Sequence, residues 1–154
     1  MALTSGKRPL FETLYTKVPV ISGLGATRTL SIDESSATIL LDRAAGIVVT
    51  LPLAVPGLVY TFKTTVSVTS NNYKVITGAA TEFFVGSIQN VKTDLTTLQS
   101  IPNGTSHIAV TMNGTTTGGL IGTSYTFTCL SATRWEVDGV NMGSGVIATP
   151  LAAS

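Results

Sequence analysis

Over residues 58–68 apolar and polar side chains alternate. Leu58, Tyr60, Phe62, Val66 and Val68 fall on one side of an extended chain, and Val59, Thr61, Lys63, Thr65 and Ser67 on the other. A period of two marks a strand with one buried and one wet face. No segment sustains a helical period. Thr and Val, stiff at χ1 and suited to pleated surfaces, dominate throughout. Comparable short runs cover 38–42, 47–51, 73–77, 83–88, 107–112, 124–130 and 135–140. Between them Asn71-Asn72, Pro102-Asn103-Gly104, Asn113-Gly114 and Gly118-Gly119 supply residues that tolerate the positive φ of tight turns. About eight strands spaced roughly 8–12 residues apart predict an all-β fold, an antiparallel β-sandwich of jelly-roll-like kind, over residues 30–154. No fixed-period repeat suggests a solenoid or propeller.

Residues 1–29 have a different character. Lys7, Arg8, Lys17 and Arg28 stand against Glu12 alone, Pro9, Pro19, Gly6, Gly23 and Gly25 interrupt any period, and Leu10, Phe11, Leu14, Tyr15, Val18 and Val20 are apolar. Such a segment cannot form a core of its own but can lie extended over another surface. At about 3.3 Å per residue it would reach roughly 90 Å. It is predicted to be an extended N-terminal arm, with Lys7, Arg8, Leu10, Phe11 and Tyr15 as its docking residues, because aromatic and Arg side chains make the strongest interface anchors.

Charge is scarce. The 154 residues carry a net charge of +1 and only 11% Asp, Glu, Lys and Arg, against about 25% in an average protein. A nearly neutral, weakly charged chain suits a surface covered by partners or by copies of itself better than one dispersed alone. No basic face is concentrated enough for nucleic acid. From residue 95 to residue 133 there is no formal charge, although Thr, Ser, Asn and Gly abound. A hydroxyl-bearing strand face packs on a neighbour without stranding an ion, so His107, Thr111, Thr126 and Thr128 are the candidate subunit-contact residues. The start of the chain lacks the apolar core of a secretory signal. The charge-free run 44–62 is long enough to span a bilayer, but Pro52 and Pro56 break a helix, which predicts two strands around a turn and no membrane partner.

Chemistry is sparse. One Cys and one His exclude an internal disulfide and a His/Cys metal cluster built from one chain. Cys129 shares a face with Tyr125 and Phe127 and reads as core, and His107 reads as a surface or interface residue. Glu136 and Asp138, two apart on a strand, have the placement of an acid/base pair or a calcium site. Arg134 on the same face favours a local ion-pair ladder instead. Trp135 shares the opposite face with Val137 and reads as core. The triplets beginning at Asn103 and Asn113 match glycosylation acceptors in form but read as turns, as does Asp33-Glu34. No phosphate loop or serine elbow is present. The expectation is a protein without catalytic residues, cofactor or metal.

Ile39-Leu-Leu-Asp-Arg-Ala-Ala-Gly46, then Val48-Val-Thr-Leu-Pro52, Pro56-Gly-Leu-Val-Tyr-Thr-Phe62, Tyr125-Thr-Phe-Thr-Cys-Leu130 and Trp135-Glu-Val-Asp-Gly139 together resemble small structural proteins of tailed bacteriophages. These include capsid decoration (cement) proteins and some tail or fibre components. The resemblance spans roughly residues 30–140. It implies a β-sandwich protomer, commonly trimeric, bound to the major capsid protein on the outside of the shell and assembled in the bacterial cytoplasm. An N-terminal arm would grip capsid or neighbour. The alternative it leaves open is a tail or fibre component that binds a host-surface glycan.

Overall fold

The computed structural model describes residues 17–154. In chain order its strands are β1 (Val20–Ile21), β2 (Thr27–Thr29), β3 (Thr38–Leu41), β4 (Ile47–Thr50), β5 (Val59–Thr64), β6 (Tyr73–Ile76), β7 (Phe83–Lys92), β8 (Thr97–Ser100), β9 (Ala109–Met112), β10 (Ser124–Ser131), β11 (Arg134–Gly143) and β12 (Leu151–Ala152). A short 3-10 turn occupies Ile32–Glu34. The chain is all-β. Each of the eight expected strands coincides with one of these, and β1, β2, β8 and β12 raise the number to twelve. The alternation over 58–68 holds for the inward residues, but the strand stops at Thr64. There the amides of Thr65 and Val66 both turn to the Leu41 carbonyl.

A seven-stranded sheet runs β1-β3-β5-β10-β11-β7-β8 and a five-stranded sheet β12-β9-β6-β4-β2. The antiparallel expectation needs correction, because both sheets are mixed. The pairs β1–β3, β3–β5, β2–β4, β4–β6 and β7–β11 are parallel, and five other pairs are antiparallel. Jelly rolls are built from antiparallel strands, so these parallel neighbours depart from that topology. From β1 to β6 the chain alternates between the sheets, and each return lays a new strand parallel to the last one in that sheet. The charge-free run 44–62 is one such passage: β4 in one sheet, a turn through Pro52, Pro56 and Gly57, and β5 in the other. No helix among the described residues is long and apolar enough to cross a membrane.

Of the arm expected over 1–29, residues 1–16, with Lys7, Arg8, Leu10, Phe11 and Tyr15, lie outside the described residues. The remainder runs along the body of the same chain. β1 pairs with β3, β2 pairs with β4, and Leu24 is buried, so the boundary drawn at residue 30 falls inside paired structure.

Inward side chains of both sheets join in one hydrophobic cluster, Ile39, Tyr60, Phe62, Phe84, Tyr125, Phe127 and Trp135 from the larger sheet and Ile47, Val49, Tyr73, Val75 and Met112 from the smaller. Phe127 is a hub. Its ring meets Phe62 edge-on at 5.3 Å, Phe84 at 5.3 Å and Tyr125 at 6.1 Å, separations at which aromatic quadrupoles attract. The glycines expected at turns take the conformation predicted for them. Gly114 (φ 81°), Gly118 (φ 85°) and Gly119 (φ 92°) are all left-handed.

Candidate functional site

The face of the seven-stranded sheet turned away from the core is a grid fixed by strand register. One row reads Thr38, Thr61, Thr126, Asp138, Ser87, and the next Val59, Thr128, Glu136, Val85. A third runs Leu40, Lys63, Ser124, Val140, Gln89, Gln99. Hydroxyls fill its centre because β5 and β10 both place β-branched Thr at the positions that alternate with core aromatics. Lys63 Nζ donates to Ser124 Oγ at 2.6 Å.

Thr126 and Thr128 therefore lie in adjacent rows of this outer face. The other two predicted contact residues lie elsewhere. Thr111 is on β9 of the five-stranded sheet, opposite Lys74, with its amide bonded to the Pro150 carbonyl. His107 sits in the connection before β9, where its Nδ1 accepts the Asn103 amide at 3.1 Å and its carbonyl accepts the Phe84 amide. The structure brings together two of the four.

The ion-pair ladder expected of Arg134, Glu136 and Asp138 does not form. Glu136 and Asp138 are exposed, and the ion pairs among the described residues are Arg28 with Glu34 and Lys92 with Asp94. Arg134 instead donates to the Thr133 carbonyl and lies 5.5 Å from the Phe83 ring centroid, a cation–π contact. The Lys92 ammonium, 2.7 Å from Asp94, together with the Thr96 amide, holds the Asp94 carboxyl down at about 2.

Cys129 is buried, as expected, its Sγ donating to the Ser131 carbonyl. Burial pushes its thiol up, away from the reactive thiolate. Asn103 and Asn113 cap their own turns: the Asn103 side-chain oxygen accepts the amides of Thr105 and Ser106, and the Asn113 oxygen those of Thr115 and Thr117. Among the described residues no three His, Cys, Asp or Glu side chains gather.

Two buried polar constructions were not singled out in the sequence. Glu82, 3% exposed, accepts the Trp135 indole N–H at 3.1 Å and the Ala54 amide at 2.8 Å, tying the turn after β4 to the start of β11. Asn90 and Asn141, in register on β7 and β11, bond amide to amide at 2.9 Å. Asn90 also donates to the Leu98 carbonyl and Ser100 Oγ, while Asn141 donates to the Thr117 carbonyl and accepts the Gly119 amide. A legible signal existed. Asn90 shares parity with Phe84 and Ile88, and Asn141 with Trp135 and Val137, so each puts an amide where the alternation demands a core residue.

Comparison with protein-family models, curated proteins and solved structures finds no match to this chain.

Proposed function

We propose that this chain is a decoration protein of a tailed-bacteriophage capsid. In this reading it is a two-sheet β-sandwich that associates as a homotrimer and binds the major capsid protein on the outside of the mature shell. The observation that carries it is the surface of the charge-free stretch 95–133. Leu95, Leu98, Ile101, Ile121 and Leu130 are all exposed there, Leu95 to 83%, with no charged residue between them. Exposed apolar side chains favour covering by protein, and Thr126 and Thr128 add hydroxyls on the outer face of the larger sheet, in rows that also carry Asp138 and Glu136. The phage-like strand motifs between residues 39 and 139 support the same reading.

The mechanism is linkage. A partner that binds only the expanded shell stabilises that shell by mass action, and three linked copies convert weak single contacts into avidity. In this reading Lys7, Arg8, Leu10, Phe11 and Tyr15 dock to the shell.

The deciding experiment is the copy number of this chain relative to major capsid protein in purified virions that contain it. Copies of the order of the capsid protein itself are expected. A few copies per particle would move the chain to the tail or fibre, and absence from the particle would end both readings.

A further inference from the structure

Where β11, β7 and β8 lie side by side, the coreless face of the larger sheet sinks into a hollow of about 470 Å³ lined by Ser87, Gln89, Thr97, Gln99, Asp138 and Val140. That is within the range of small-ligand sites, roughly 300–1,000 Å³. Register fixes the arrangement: Asp138 stands opposite Ser87, Val140 opposite Gln89, and Gln89 opposite Gln99. Neighbouring columns are therefore about 4.8 Å apart, the span of a single sugar ring. Asp138 lines the hollow and takes part in neither ion pair of the described residues.

The lining suits one ligand chemistry. A carboxylate only accepts, a carboxamide offers both donors and an acceptor, and a hydroxyl does either. Asp138, Gln89, Gln99, Ser87 and Thr97 thus present mixed donors and acceptors to a ligand whose every group is both, which is a polyol. Val140, set between the polar side chains, offers an apolar contact for the C–H face of a ring. An anionic ligand would meet Asp138, with Glu136 one step along the same strand. A phosphate or acidic peptide finds no cation in the lining.

We propose that this hollow binds a neutral saccharide. The inference does not rest on capsid decoration, since the same site could serve any surface on which the chain is displayed. The hollow is open and has no aromatic plate for stacking, so a single site holds its sugar weakly, with Kd of the order of 1 mM. Function then requires several linked copies.

The test is a two-dimensional amide NMR titration of the full chain with maltose, cellobiose and lactose, and with sialyllactose as the anionic counterpart. At least one neutral disaccharide should give saturable shifts at Ser87, Gln89, Gln99 and Asp138. Asp138→Ala should weaken binding about tenfold or more, as loss of a charge-assisted hydrogen bond does. Glu136→Ala, outside the lining, should leave the affinity for the neutral sugar unchanged, and sialyllactose should bind less well than lactose. The proposal is overturned by an absence of saturable shifts with all three neutral sugars, by binding indifferent to Asp138→Ala, or by sialyllactose binding as tightly as lactose. None of these outcomes touches the copy-number test, so the two readings stand or fall separately.

Discussion

Glu82 is an acid in the interior that forms no ion pair among the described residues. It is tolerated there because two N–H groups, from Trp135 and Ala54, point at its oxygens. Removing it strands both donors away from water, and each orphaned donor costs about 1–3 kcal/mol. Glu82→Ala should therefore destabilise the fold by about 2–4 kcal/mol in urea denaturation, and Glu82→Gln, which keeps one acceptor, by about half as much. A loss below about 1 kcal/mol for the alanine variant would show that water replaces the carboxylate. Tyr60 makes a prediction at the other end of the pH scale. Burial, with the nearby Glu34 and Asp33 charges adding to it, pushes its phenol up to about 12, and its hydroxyl donates to the Ser31 carbonyl at 2.7 Å. The folded value lies above the ordinary 10.0, so the contribution of the neutral phenol to stability is complete below pH 10.0 and is lost as pH rises through about 12. Ultraviolet titration of tyrosinate should show a class with a midpoint near 12 that Tyr60→Phe removes. Titration of all four tyrosines near the ordinary value would contradict it.

The edges of the sheets are where sequence and structure part. β1 and β12 have two residues each, β2 is exposed at every position, and β8 is exposed at three of its four. β2 buries nothing, β8 buries only Ser100, and β1 and β12 are too short to alternate, so these four carried no signal, and Val20, Thr27 and Arg28 passed for arm. The eight interior strands were legible because each alternates buried apolar residues with more exposed ones over at least part of its length. The same alternation concealed their direction. A single buried face is the habit of antiparallel sheets, while parallel strands are usually covered on both sides and read as continuous apolar runs. Here β3, β4, β5 and β6 are parallel yet keep one polar face, so the pattern pointed the wrong way. For the contact residues, alternation fixed the face of Thr126 and Thr128 but not which sheet Thr111 joins, a matter of long-range pairing. Two deletions test the edge assignment. Removing residues 1–16 should leave the unfolding midpoint within about 2 °C, since no described strand is lost. Removing 1–29 strips β1, β2 and the core residue Leu24, uncovers β3 and β4, and should lower the midpoint by about 8 °C or more, equivalent to about 2 kcal/mol in a domain of this size. Equal midpoints would mean that these edge strands add nothing to stability.

Taken together, the two sheets separate the work of the protein into layers. The core is a set of aromatic rings gathered on Phe127 and held in register by the Asn90–Asn141 amide pair. That pair resists slippage, since a shift of one residue would carry one amide to the outer face and leave its partner unpaired in the core. Gly118 is part of the same device. A Cβ there would collide with the Asn141 amide, so only glycine lets the β9–β10 connection close over it. Outside this interior the described surface carries few charges, many hydroxyls and scattered exposed apolar side chains.

The alternation of β1 to β6 between the sheets also bears on how the chain is made. Consecutive strands in that half never pair with each other, so there is no hairpin to form early. The short-range antiparallel pairs, β7 with β8 and β10 with β11, all lie downstream. Tyr60 and Phe62 of β5 pack on Trp135 and Phe127, which a ribosome adds only after ten and nine, respectively, of the twelve described strands have been synthesised. Such non-local closure is slow, because loop entropy is spent before the contacts repay it. A nascent chain of this design carries its sticky aromatic residues unsheltered through most of its synthesis, and its low charge gives it little protection against its neighbours during that interval.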